Sequence, residues 1–206
     1  MKKLLVILFS FFLLSSPSVF AEDISDFSIE GMSIGDSLLD YMTEEEILKE
    51  IELTKDWYSY LNEPNKYVEV YLFKDFLTYD MLSFFIRNNS TNKYMSNKNE
   101  KYTILSISAM ISYEEDFDNC IVKRDEIAET LSGMFPDAQK RSYSRAHRGE
   151  PSGKSILDAI NYLLDSGETV DIQCVNFEET WRIKNNQTEG ISLGVDSKEI
   201  VNWFAN

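Results

Sequence analysis

Two cysteines, Cys120 and Cys174, and no third, constrain this 206-residue chain more than any other feature. A fold must either join them or keep both thiols apart, and the compartment decides which. The first 21 residues, MKKLLVILFSFFLLSSPSVFA, predict that compartment. Lys2 and Lys3 form a positive start, Leu4 to Leu14 is an apolar run broken only by Ser10, and Pro17 ends it. Val19-Phe20-Ala21 then has the small-x-small pattern of a signal-peptidase site. Residues 1–21 therefore read as a signal peptide. The mature protein is expected from Glu22, in the periplasm of a Gram-negative bacterium or otherwise secreted. The apolar run is shorter than the roughly 20 residues a membrane-spanning helix needs, and no later segment matches it. No membrane span is expected after cleavage. No cysteine follows the cleavage site, so no lipid anchor is expected there.

In an oxidising compartment an even cysteine pair forms a disulfide. A redox dithiol needs its two thiols close in sequence, as in Cys-x-x-Cys, and these are far apart. A zinc site needs more ligands than two cysteines and the single histidine supply locally. Neither a metal nor a cofactor is expected. The Cys120–Cys174 bond is.

Removing 21 residues from 206 leaves 185, which suits one α+β domain over 22–206. With 43% hydrophobic and 13% aromatic residues the chain is not globally disordered. The leader holds two of the 20 Lys+Arg and no acid, so 18 bases remain against 35 acids, a net charge of −17. That balance argues against nucleic acid and anionic membrane as partners.

Periodicity sets the expected architecture. Ser33 to Asp36 and Thr43 to Glu46 both have capping-box spacing. The first predicts a short helix with Leu38 and Leu39. The second predicts one whose stripe is Ile47, Leu48, Ile51 and Leu53. Tyr67 to Phe73 and Tyr79 to Arg87 read as a strand hairpin, and Asn88 to Lys101 as an exposed loop. Tyr102 to Tyr113 alternates: Leu105, Ile107, Ala109 and Ile111 face one way, Ser106, Ser108 and Ser112 the other. One apolar and one polar face fit an antiparallel sheet. A helix follows from about Asp118 to Phe135, with Cys120 on its Arg124, Ile127 and Leu131 side. Gln139 to His147, Thr169 to Phe177 and Gly190 to Val195 read as strands. In Ile156 to Leu164 the spacing of Ile156, Ile160 and Leu163 fits a helix, while its length and the turn at Asp165 to Glu168 favour a strand. Asp196-x-x-Glu199 reads as the cap of a last helix. The expected fold is α+β, a mostly antiparallel sheet covered by helices and stapled by one disulfide. Strand order is left open.

Lys140 to Ser155, KRSYSRAHRGEPSGKS, is the strongest local anomaly. It holds five of the 18 remaining bases and the only histidine. Arg141, Arg145, His147, Arg148 and Lys154 are the candidate anion-binding residues, able to form charge-assisted bonds to carboxylate, phosphate or sulfate. Backbone amides near Gly149 and Gly153 are expected to help. The competing expectation is that nearby acids neutralise these bases. GEPSGKS is not a phosphate-binding loop, since that pattern needs four residues between its first glycine and Gly-Lys-Ser. Glu114, Glu115, Asp116, Asp118 and Asn119 lack the glycine and distal glutamate of a calcium loop. No Gly-x-Ser-x-Gly elbow accompanies His147.

Ile29 to Asp36, the Cys120 helix, the His147 to Ser155 segment and the Cys174 strand together resemble small exported bacterial proteins with no assigned activity. Ile29 to Asp36 also resembles the start of small envelope-assembly lipoproteins of the outer-membrane-assembly type, without their lipidation cysteine. The resemblance implies a compartment and no mechanism. The function expected first is a soluble periplasmic binding or interaction module, whose partner is a small anionic ligand or an envelope protein. The alternatives are a periplasmic enzyme of the hydrolase class using His147, and a structural or stress-related envelope protein.

Overall fold

The computed structural model describes residues 24, 27–55, 66–88, 100–113 and 116–205. The predicted leader, most of the Asn88 to Lys101 loop, and Glu114 and Glu115 lie outside them. β1 (Ser28–Ile29) and β2 (Met32–Ser33) form a small ribbon. It leads through a 3₁₀ turn at Leu38–Asp40 to α1 (Glu44–Thr54). β3 (Tyr67–Leu72), β4 (Met81–Arg87) and β5 (Ile104–Ser112) form a meander, and α2 (Phe117–Met134) follows. β6 (Gln139–Ala146), β7 (Ile156–Leu163) and β8 (Thr169–Asn176) form a second meander. α3 (Glu179–Asn185), β9 (Gly190–Asp196) and α4 (Lys198–Phe204) complete the chain. The sheet is antiparallel throughout, in the order β3-β4-β5-β9-β8-β7-β6. The α+β expectation holds, and β9, last in sequence, joins the two meanders.

Local chemistry explains most boundaries. Thr43 caps α1 with both halves of the capping box present, and Glu44, Glu45 and Glu46 sit in the first turn, where the helix dipole favours acids. Only part of the predicted stripe is buried: Ile47 and Ile51 join the core, while Leu48 and Leu53 face solvent. Ser33 to Asp36 forms a turn rather than a helix start. The Ser33 amide does donate to Asp36 Oδ2 at 2.9 Å, but the 3₁₀ cap is Ser37. Likewise α4 is capped by Ser197, one residue beyond the predicted Asp196, which ends β9.

One face of the sheet lies under the N-terminal segment, α1 and α2. Val70, Phe84, Ile107, Ile172, Cys174 and Val195 from this face belong to one continuous core. Phe85 opposes Ser106 while the next residue, Ile86, opposes Ile104, so Leu105 is a bulge residue. The extra residue turns Leu105 to the opposite face from Ile107, correcting the predicted alternation. There it joins Tyr67, Phe85, Ile200 and Trp203 in a second, smaller cluster under α4.

α2 is fixed in three ways. Cys120 is bonded to Cys174 of β8, with Cα atoms 6.0 Å apart and a sequence separation of 54. Arg124, nearly buried, pairs with Asp158 of β7 and with its neighbour Asp125. The Tyr162 hydroxyl of β7 donates to the Ala128 carbonyl at 2.6 Å. Asp158 and Cys174 are paired positions on β7 and β8, so bond and ion pair anchor one spot of the helix.

Candidate functional site

The predicted basic segment forms the far edge of the sheet and the loop that follows it. All eight residues of β6 are exposed. The register with β7 places Arg141, Tyr143 and Arg145 on one face, and Lys140, Ser142, Ser144 and Ala146 on the other. Lys140 leans toward α2, its Nζ donating to Ser132 Oγ at 3.1 Å and lying 5.4 Å from the Tyr162 ring centre. Arg141 donates to Gln139 Oε1 at 2.8 Å. Arg145 reaches the Ala146 carbonyl at 3.4 Å, with its guanidinium 5.9 Å from the centre of the Tyr143 ring. Arg148 and Lys154 lie in the loop. Among the described residues none of these cations is in an ion pair, although the charge of Lys154 helps to lower the pKa of Glu178.

The loop amides are committed to the chain itself. Glu150, buried, accepts from the amides of Ser152 (2.5 Å), Lys154 (2.9 Å) and Ser155 (3.1 Å). Burial opposes ionisation of this carboxyl, but those donors outweigh it and bring its pKa down to about 2. The Gly149 amide donates to His147 Nδ1 at 3.2 Å, and that of Gly153 to the Glu150 carbonyl at 3.4 Å. The expected help of Gly149 and Gly153 toward a ligand is thereby corrected: Glu150 fills the cradle an external anion would need. Any anion recognition falls to the side chains.

His147 closes β6, its amide donating to the Ser155 carbonyl at 2.8 Å. Its ring meets Phe177 edge-on at 5.0 Å, with Trp181 at 6.2 Å and those two rings 5.2 Å apart. Burial, then the charge of Arg145, lowers its pKa, with Glu150 opposing. The shift favours the neutral ring. Ser155, whose carbonyl accepts the His147 amide, is fully buried, and its hydroxyl accepts the Glu178 amide at 2.9 Å.

Glu178 caps α3, a helix absent from the sequence reading. Its signal lay at the other end, in Arg182 and Lys184 of the last turn and the left-handed Asn186. α3 borders a shallow opening lined by Asn176, Phe177, Glu179, Arg182 and Glu189. Beside it a cavity of about 100 Å³ lies against Cys120 and Val175, too small for a drug-sized ligand. His147 lines neither.

The sheet face away from α2 carries a second group that the sequence did not single out. Asp171 of β8 sits opposite Gly194 of β9, and a Cβ on Gly194 would lie 2.4 Å from Asp171 Oδ1. Burial, followed by the nearby charge of Asp196, raises the Asp171 pKa to about 7. Asp196 is raised as well, chiefly by burial, against hydrogen bonds from Ser106 and Thr169.

Among the described residues no three His, Cys, Asp or Glu side chains gather to hold a metal ion, and no helix is long and apolar enough to cross a membrane. Comparison with protein families, curated proteins and solved structures gave no match.

Proposed function

We propose that the chain is an exported, periplasmic binding module that receives an anionic group on the Lys140 to Lys154 segment. One observation carries the reading. In a chain with 35 acids, Arg141 and Arg145 share one face of the edge strand and Arg148 lies in the loop after it, none of them in an ion pair with a carboxylate among the described residues. Clustered guanidinium groups left to solvent suit carboxylate, phosphate or sulfate. The disulfide fits an oxidising compartment.

The test is a thermal-shift titration of the oxidised protein with inorganic phosphate, sulfate, citrate and poly-glutamate, at low and high salt. At least one anion should raise the melting temperature at low salt. Arg145→Gln with Arg148→Gln should abolish that shift while leaving unliganded stability within about 0.5 kcal/mol. An equal shift in the double variant would remove this segment as the site. N-terminal sequencing of the exported protein should begin at Glu22; an uncleaved leader would remove the export reading.

A further inference from the structure

We infer that β6 takes up an acidic, extended peptide segment as an eighth strand of the sheet. This rests on the anion reading above and narrows it to one class of partner.

The backbone of β6 is set up for such an addition. In an antiparallel ladder, residues alternate between facing the neighbouring strand and facing away. The His147 amide bonds to Ser155 and the Leu164 amide to Glu168, which fixes both parities. Odd residues of β6 turn their N–H and C=O to β7. Even residues, Lys140, Ser142, Ser144 and Ala146, turn theirs to the open edge. Among the described residues no strand lies beyond β6. An incoming strand can bond to this row while side chains on both faces select it.

The side chains specify its charge. Arg141 and Arg145 flank Tyr143 on one face, and Lys140 stands on the other. The complementary strand places two acids four residues apart around an aromatic or β-branched residue, acid-x-aromatic-x-acid. Ser142, Ser144 and Ala146 leave room on the other face. A second copy of this chain is a poor occupant. Antiparallel self-pairing about Tyr143 would set Arg141 against Arg145 of the other copy, and opposed like charges destabilise a ladder. The acids of the sheet do not repel the guest strongly. Asp158, one strand inward and opposite Ser144, is paired with Arg124, and Asp171 is two strands inward from β6, so an added strand lies about 14 Å from it, beyond the screening length at physiological salt.

The experiment uses the oxidised full-length mature chain and a synthetic peptide of the acid-x-aromatic-x-acid pattern, read by fluorescence anisotropy. One control peptide is N-methylated at alternate residues; another is a scramble of the same charge. Two variants, Ser144→Pro and Ser142→Pro, each remove an amide that points to the open edge and none that bonds β7. The parent peptide should bind, more weakly as salt rises. N-methylation and each proline variant should weaken it on the order of tenfold or more, since each removes interstrand hydrogen bonds. Should either proline variant misfold, the N-methylated peptide decides the matter on the unaltered protein.

Equal binding of parent, N-methylated and scrambled peptides would overturn strand addition while leaving the anion site intact. Binding of neither peptide nor any of phosphate, sulfate, citrate and poly-glutamate would overturn both readings. Self-association abolished by Ser144→Pro would make the occupant a second copy and overturn the acidic peptide.

Discussion

The two edges of the sheet are built oppositely. β3, at one end, is buried along almost its whole length on both faces. By the same parity argument, its outward carbonyl at Glu69 accepts the Thr54 hydroxyl at 2.8 Å, so the end of α1 closes that edge. Tyr67 and the rings of Trp203 and Phe85 cover the face away from α1. β6, at the other end, has neither face covered, carries Lys140, Arg141 and Arg145, and among its outward backbone groups only the Ala146 carbonyl, which accepts from Arg145, has a partner among the described residues. A long uncovered edge invites pairing, and proteins ordinarily shorten, cover, bend or charge such edges, charge acting against pairing with a like-charged strand. This chain covers one and charges the other. The covered edge serves stability; under the strand-addition proposal the charged edge is the part of the sheet left for a partner.

If that division is right, the β6 side depends on its one helix. Replacing both Cys120 and Cys174 with alanine should cost about 4 kcal/mol, the chain-entropy value for a loop of this length. Urea unfolding measures it. Amide exchange should quicken first in β7 and β8, beneath α2, while β3 and β4 keep their protection. Uniform loss of protection across the sheet would show that the two sides do not differ in what holds them.

Tyr143→Pro should cost about 3 kcal/mol. The Tyr143 amide is one that points to β7, and proline removes that bond and disturbs the ladder. A loss below 1 kcal/mol by chemical denaturation would mean the parity assigned to β6 is shifted by one residue.

Asp171 tests the sheet face away from α2, between the edges. Its carboxyl is raised to about 7 from an ordinary value of 3.8. The folded protein therefore binds more protons than the unfolded chain between about pH 4 and pH 7. This group's contribution falls as pH rises through that window and is constant above it. Asp171→Asn should stabilise the protein by about 2 kcal/mol above pH 7 and by little below pH 4. A gain independent of pH would show that Asp171 ionises freely, as on an open surface.

How much of this was legible in the sequence depended on the range of each interaction. The α1 cap was legible because Thr43 and Glu46 are three residues apart and satisfy each other. The Cys120–Cys174 bond was legible because no other thiol competes. The Leu105 bulge was not, because the slip exists only relative to Phe85 and Ile86 on a neighbouring strand. β9 reads as a strand, yet its place depends on glycines whose need arises across the sheet. A Cβ on Gly190 would lie 2.1 Å from the Ile111 carbonyl oxygen. At the candidate site the cluster of bases was legible from composition alone. That its loop amides are filled by Glu150 was not, since glycine-rich spacing does not reveal which acceptor the amides choose.

Thr54→Val would open the covered edge. It removes the buried donor to the Glu69 carbonyl at nearly constant volume, for a loss of about 1–2 kcal/mol by urea unfolding. No loss would mean that packing by α1, rather than this bond, closes β3.

Ser144→Pro should have the smallest effect on the free protein, below about 1 kcal/mol, although it lies beside the costly Tyr143→Pro. The Ser144 amide faces the open edge, so no ladder bond is lost. Tyr143 before it is already extended, as a residue preceding proline prefers. Ser144 is exposed, so no packing is sacrificed. Equal chemical-denaturation losses for the two prolines would erase the distinction between inward and outward residues of β6. With it would go the contrast between a closed edge and an open one. A near-neutral Ser144→Pro beside a damaging Tyr143→Pro would show that this edge bears no load in the free fold, which leaves its backbone donors and acceptors available to a partner.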